Sequence, residues 1–408
     1  MLYIYTFYII YRPNLSPWIG NINILYITTL VVYVLLFLRH RRKIIRIFKN
    51  KNFGLLIIFL LISLVYLCIF SLIQNNTINS YGVKVLVNIT FIVLPNVIFI
   101  CFEFLNKRYS FNQFITFILN IGLIQSIITI LMFFIPDFRT IAMESFLAAA
   151  PNKTEAIFNY RIYGFSSDFT FSMQLFQGFL MGIAIICSLF ISKKYIIYVP
   201  FLMISSIVNG RSGIIFCLII TILVFLLIGI KKKNFKSIIN IFVISLVFIF
   251  VINFGLKIAQ FISEDTYEWI MRLNYETSQL LNGNITGTYE ALFNNMLFFP
   301  KGMELIAGTG DRVFGGREIS YLSSDVGYVN DIYIGGLLFL IFFYIPIFKF
   351  LLTNYKLSYF QYAISVFCVV FIIIANYKGE IFRPNVLIYG IFIIKFYSII
   401  LIENVKAK

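Results

Sequence analysis

Residues 53–73 of this chain contain no charged side chain, and apolar runs of similar length recur along the sequence. About 20 consecutive apolar residues cross a bilayer as a helix. The whole composition makes the same demand: 60% of residues are hydrophobic and 12% charged, with a mean hydropathy of +0.92, against about 25% charged in an ordinary soluble domain. A transmembrane barrel would instead alternate apolar and polar residues in segments of about ten. The expected fold is therefore an all-α polytopic membrane protein, a bundle of about 11–12 transmembrane helices with two large extracytoplasmic loops. Spans fall at roughly 21–38, 53–73, 84–105, 112–135, 169–191, 195–208, 212–230, 237–256, 329–350, 358–375 and 387–402. Residues 1–11 are apolar but too short to cross alone, so they form either a thin, tilted first span or an interfacial segment.

The formal net charge of +16 would suit nucleic acid, but its distribution does not. The basic residues fall in short loops on alternate sides of successive spans: Arg39 to Lys51, Lys107 and Arg108, Lys193 and Lys194, Lys231 to Lys236, Lys349 and Lys356, and the tail. That is the cytoplasmic pattern of a membrane protein. No nucleic-acid partner is expected, and membrane lipids are. The basic stretch from Arg39 to Lys51 is suited to anionic headgroups, and Glu103 is spaced to pair with Lys107 on one helix face. Nearly all acidic residues, from Asp137 to Glu380, fall on the opposite side. The five cysteines lie inside apolar runs without metal-type spacing, and His40 is the single histidine, so no metal and no cofactor is expected. The N-terminus has neither a basic leader nor a small-residue cleavage site, so a cleaved signal peptide is not expected. The organisation is then 1–135, N-terminal helices; 136–168, first outer loop; 169–256, central helices with a broken helix at 209–213; 257–328, second outer loop; and 329–408, C-terminal helices.

Arginine is conspicuous on the outer side: Arg139, Arg161, Arg211, Arg272, Arg312, Arg317 and Arg383. Its planar, permanently charged fork matches phosphate and carboxylate, although each could equally pair with an acid in its own loop. Arg211 stands apart, in Asn209-Gly210-Arg211-Ser212-Gly213 inside an apolar run. The arm before it, about 14 residues, reaches about 21 Å, short of the roughly 30 Å hydrocarbon core. The break then lies below the outer surface, where irregular backbone is tolerated only in protein or beside a water-filled cavity. An arginine there costs about 2.5–3.5 kcal/mol on insertion scales and marks a functional site by default. The bland alternative is a tight hairpin whose arginine snorkels to headgroups. Arg161, followed by Gly164, sits at the outer mouth of the bundle, and with Arg211 it suggests a cationic pocket for a lipid-linked diphosphate.

The pattern Arg161-x-x-Gly164, then Asn209-Gly210-Arg211-Ser212-Gly213 opening a helix, resembles the O-antigen polymerase and ligase superfamily of bacterial envelopes. Ala307-Gly308-Thr309-Gly310, then Asp325-Val326-Gly327-Tyr328-Val329-Asn330-Asp331, then Gly335-Gly336 in the following span, extend the resemblance across roughly residues 160–345. It implies transfer of a polyprenyl-diphosphate-linked glycan at the outer face of the bacterial cytoplasmic membrane, with the active site facing the periplasm or exterior. It also admits a chain-length regulator and a flippase as partners. Ligase-type members tend to carry a histidine in the second large loop; this chain has none there, and Asp325 stands near its place. Many members have an arginine before the Gly-x-Gly turn, where this chain has Tyr289 and Glu290. Both departures favour a polymerase over a ligase.

Negative charge grows on the leaving diphosphate, so preorganised arginines would stabilise the transition state. Arg211 and Arg161 are expected in this role, with Arg272, Arg312 and Arg317 as substrate-binding helpers. A carboxylate would serve as general base, Asp325 first and Asp331, Glu290 and Asp168 behind it; the alternative for Asp325 is helix capping. Tyr328 and Asn330 complete the expected substrate contacts. A ligase-type transferase, or a flippase for lipid-linked oligosaccharide, remain the competing readings.

Overall fold

The computed structural model describes residues 1–13, 24–75, 80–135, 137–140, 161–168, 171–210, 222, 267–268, 271–272, 275–276, 278–279, 282–310, 312–313, 323–353, 358–383 and 385–406. These are helical throughout, without a strand among them. In chain order the main helices are α1 (Leu2–Tyr11), α2 (Ile24–Phe48), α3 (Lys51–Asn75), α4 (Tyr81–Asn106), α5 (Phe111–Phe134), α6 (Phe171–Phe190), α7 (Tyr198–Asn209), a short α8 (Met303–Ala307), α9 (Gly327–Leu352), α10 (Tyr359–Ala375) and α11 (Val386–Lys406). Six of them, α2 to α6 and α9, are long and apolar enough to cross a membrane. The chain is a multi-pass membrane protein. Apart from residue 222, the expected spans at 212–230 and 237–256 lie outside the described residues, as do most of the first large loop and part of the second.

Two compact units are interleaved along the sequence: Met1–Asn23, Asn112–Asn284 and Tyr359–Phe371 form one, and Ile24–Phe111, Ile285–Ser358 and Ile372–Lys408 the other. In the first, α6 is buried on nearly every face, the signature of a helix surrounded by others. Its polar groups bond to neighbours: Ser126 of α5 donates to the Gln177 side chain (3.3 Å), and Ser206 of α7 donates to the Gln174 backbone carbonyl (2.8 Å). With no hydrophobic force between helices in lipid, such bonds and close packing hold the bundle. The ten-residue α1, about 15 Å long, is tied by its C-terminal end to residues 166–168.

In the second unit α4 is the central helix, with α11 and α2 packed on it. Pro95 lacks the N–H that would bond Phe91, four residues back. The Tyr33 hydroxyl of α2 takes the Phe91 carbonyl instead (2.9 Å), next to a single π-turn at Ile89–Val93. Asn96 then bonds both Ile92 O (2.7 Å) and Thr29 Oγ1 (2.9 Å). The basic stretch expected as a loop from Arg39 is instead helical, since α2 runs on to Phe48. His40 is thereby carried inward, where it faces Glu103 at 3.0 Å and stacks on Phe102. Glu103 pairs with His40 rather than with Lys107, because the α2–α4 contact brings the imidazole across that face.

Candidate functional site

The second unit contains a break that the sequence of its last long loop creates. Gly336 inside α9 has φ 68° and ψ −170°, a region open essentially to glycine alone. The interrupted helix exposes carbonyls that need donors. Thr309 supplies two to the Tyr333 oxygen, from its backbone N–H (2.6 Å) and its hydroxyl (2.9 Å). Tyr66 of α3 donates to both Gly335 O (3.1 Å) and Ala307 O (2.9 Å). A side chain on Gly308 would fall 2.6 Å from the Gly335 nitrogen, and one on Gly336 2.1 Å from the Ile306 oxygen. The Gly308-x-Gly310 turn and the Gly335-Gly336 pair are thus two halves of one backbone contact.

Two residues after Gly310, Arg312 joins a set of charges. The Arg312 guanidinium lies over the Tyr81 ring, 4.0 Å from its centroid, a cation–π geometry. Arg312 Nη1 also donates to Glu380 Oε2 (3.1 Å) and to the Tyr81 hydroxyl (3.0 Å), and the Tyr81 hydroxyl reaches Glu380 Oε2 at 3.1 Å. Glu380 is only 4% exposed, and its second oxygen, Oε1, has no hydrogen-bond partner among the described residues. On the first turns of α9, Asp331 is 8% exposed. Its Oδ2 accepts from the Tyr344 hydroxyl and from Asn376 Nδ2 (3.3 Å). Asp331 and Glu380 line one recess together with Tyr81 and Arg383, closed by Phe339, Phe343 and Phe382. The free space inside the recess is about 20 Å³, room for one water-sized group.

The expected site residues divide. Arg312, Tyr328 and Asn330 come together in this unit. The Asn330 amide is fully engaged, donating to Ser324 O (2.8 Å) and Val326 O (3.0 Å) and accepting from Val313 N (3.1 Å); it fastens the loop to α9. The Tyr328 hydroxyl donates to Ile373 O (2.7 Å), and its ring stacks on Tyr344. Asp325 precedes the N-cap Val326, and α9 has no side-chain cap there. Ser324 Oγ accepts from Val326 N instead (3.1 Å). Asp325 is partly exposed and does not line the recess; Asp331, six residues on, does.

Arg161 and Arg272 belong to the first unit. Arg272 is 68% exposed and pairs with Glu276 (3.2 Å). The segment after Arg161 is fixed by Ile162 N donating to Val208 O (3.2 Å) and by Gln125 donating to Tyr163 O (2.8 Å). The expected turn at Gly164 is present, with φ 60°. Asp168 is committed to Arg12 at 2.6 Å. Helix α7 ends at Asn209 with Gly210 extended; the rest of the expected break at 209–213, with Arg211, lies outside the described residues, as does Arg317.

A comparison with protein families, with curated proteins and with solved structures finds no match. Among the described residues no cluster of His, Cys, Asp or Glu could hold a metal ion. The residues that sequence reasoning missed are Tyr81, Tyr344 and Asn376, and the roles of Glu380 and Arg383 within the outer charge set. The available signal was an ionisable residue beside an apolar span, which marks Asp331 and Glu380 as functional candidates.

Proposed function

We propose that the chain is a polysaccharide polymerase of the bacterial cytoplasmic membrane, a bundle of about 11–12 spans whose site faces the exterior. It transfers a glycan from polyprenyl diphosphate to a second lipid-linked repeat unit, without metal or nucleotide. The observation that carries this reading is the recess lined by Asp331, Glu380, Tyr81 and Arg383. Of these residues, Asp331 lies within the stretch, roughly 160–345, that resembles O-antigen polymerases. Carboxylates suit an acceptor hydroxyl, and arginines suit a leaving diphosphate. Arg312 is occupied by Glu380 and Tyr81, whereas Arg383 has no ion-pair partner among the described residues and is the nearer candidate for developing phosphate charge. On the sequence pattern alone, Arg211 and Arg161 remain proposed diphosphate-binding residues.

One observation favours a different class: α9 is discontinuous at Gly336 and carries a buried acid, an arrangement that transporters use at midplane sites. Deleting the gene and resolving the surface glycan on a gel separates the readings. A polymerase leaves a single repeat on the normal acceptor, and Arg383→Ala or Arg211→Ala at normal protein level fails to restore the ladder. Loss of glycan from the acceptor with long lipid-linked chains accumulating indicates a ligase. An unchanged ladder overturns both and returns the transport reading.

A further inference from the structure

The two carboxylates of the recess are held in the same way. Each has one oxygen fixed by a tyrosine hydroxyl and a nitrogen donor: Tyr344 and Asn376 on Asp331 Oδ2, Tyr81 and Arg312 on Glu380 Oε2. The other oxygen of each receives no hydrogen bond among the described residues, and Glu380 Oε1 is fully buried. Buried carboxylate oxygens in folded proteins are satisfied by donors, so the recess is built to receive one. Arg383 lines the same recess, and Arg312 pairs with Glu380. A neutral hydroxyl donates to a free carboxylate oxygen without adding charge there. The rings of Phe339, Phe343 and Phe382 close the recess with an apolar wall.

We propose that this recess seats the acceptor sugar's hydroxyl, with Asp331 as the general base and Glu380 as its second anchor. The inference rests on the glycosyl-transfer reading above. The hydroxyl oxygen bonds to the anomeric carbon of the donor, the bond from that carbon to the diphosphate oxygen breaks, and its electron pair leaves with the polyprenyl diphosphate. The hydroxyl proton passes to the open Asp331 oxygen and later to water. Asp331 rather than Glu380 takes it because Glu380 has a guanidinium at 3.1 Å, and protonation would leave that cation without its counter-charge. Asp331 has no ion-pair partner among the described residues, so protonation removes an uncompensated buried charge. The titratable and charged groups around it are Tyr328 and Tyr344 on α9, Tyr81 on α4, Arg312 from the preceding loop, and Glu380 and Arg383 in the segment between α10 and α11.

The test uses membrane vesicles from the host, loaded with its own lipid-linked repeat units, and measures chain elongation against pH at matched protein amounts. Asp331→Asn is expected to slow elongation by about 100-fold or more, the usual share of a general base. Asp331→Glu is expected to elongate measurably, with the acid limb of its pH profile displaced from that of the wild type. Glu380→Gln is expected to raise the repeat-unit concentration needed for half-maximal rate more than it lowers the maximum. Wild-type pace in Asp331→Asn overturns the base assignment while the deletion phenotype still supports a polymerase. If Asp331→Asn fails to accumulate, an unshifted acid limb in Asp331→Glu overturns it equally. An unchanged ladder on gene deletion removes the parent reading and this one together.

Discussion

Glu380 collects a hydroxyl and a guanidinium on a single oxygen while buried to within 4% of its surface. Such a pair is a weak source of net stability, because desolvation offsets attraction, yet breaking it strands a charge. Arg312→Ala should therefore cost about 3 kcal/mol, the lower end for a buried pair because Arg312 is 15% exposed. Arg312→Ala with Glu380→Gln should recover more than half of that, read as thermal unfolding in detergent micelles. Equal losses in the single and double variants would mean that the ion pair does not set stability there. Arg312, Tyr328 and Asn330 were legible in the sequence because they sit in or beside a short motif. Tyr81 was not, since its partner Glu380 lies 299 positions away, and no local pattern encodes that distance. Asp325 and Asp331 show the other limit. Both flank the start of one helix, and only the packing of Tyr344 and Asn376 reveals which of them faces inward.

At the level of elements, the break in α9 is determined by atoms outside α9. Two glycines in an apolar helix are ordinarily tolerated without interruption; here the turn from Ile306 to Gly308 presses against them and Thr309 and Tyr66 bond the freed carbonyls. Gly336→Ala would place a methyl 2.1 Å from the Ile306 oxygen at a φ of 68°. The expected result is a loss of at least about 1–3 kcal/mol from backbone strain, together with loss of chain elongation as the recess loses its alignment. A variant with wild-type melting temperature and elongation would show that α9 closes the break without harm. The interruption of α4 offers a cleaner cycle. Tyr33→Phe leaves Phe91 O without its donor and should cost about 1 kcal/mol; in Pro95→Ala, where the backbone N–H returns, the same change should cost distinctly less. Additive losses would mean the two residues are uncoupled. The helices themselves were legible because runs of apolar residues have little choice in lipid. The extent of α2 was not, because its last turns are basic and read as loop until Glu103 and Asn106 appear opposite His40 and Lys43.

For the whole molecule, the charge pattern along the chain and the contacts within one unit impose the same polarity. The start of α4, the start of α9 and the segment after α10 share one expected side, and Tyr81, Asp331 and Glu380 from these three line one recess. The far end of α4 meets the basic end of α2 through His40 and Glu103, and Tyr109 just beyond it accepts from Tyr397 of α11. These are the segments expected on the other side. Charge and packing agree along α4, and by the positive-inside rule the recess is proposed to face outward. In a cysteine-free background, Lys107→Cys and Lys301→Cys, both exposed positions, then make opposite predictions for a membrane-impermeant maleimide added to intact spheroplasts. Lys301→Cys should label at once, and Lys107→Cys only after the membrane is opened. The reverse result would put the Asp331 recess on the cytoplasmic side, where a donor of the proposed kind would have to be used before export, and the polymerase reading would fall with it.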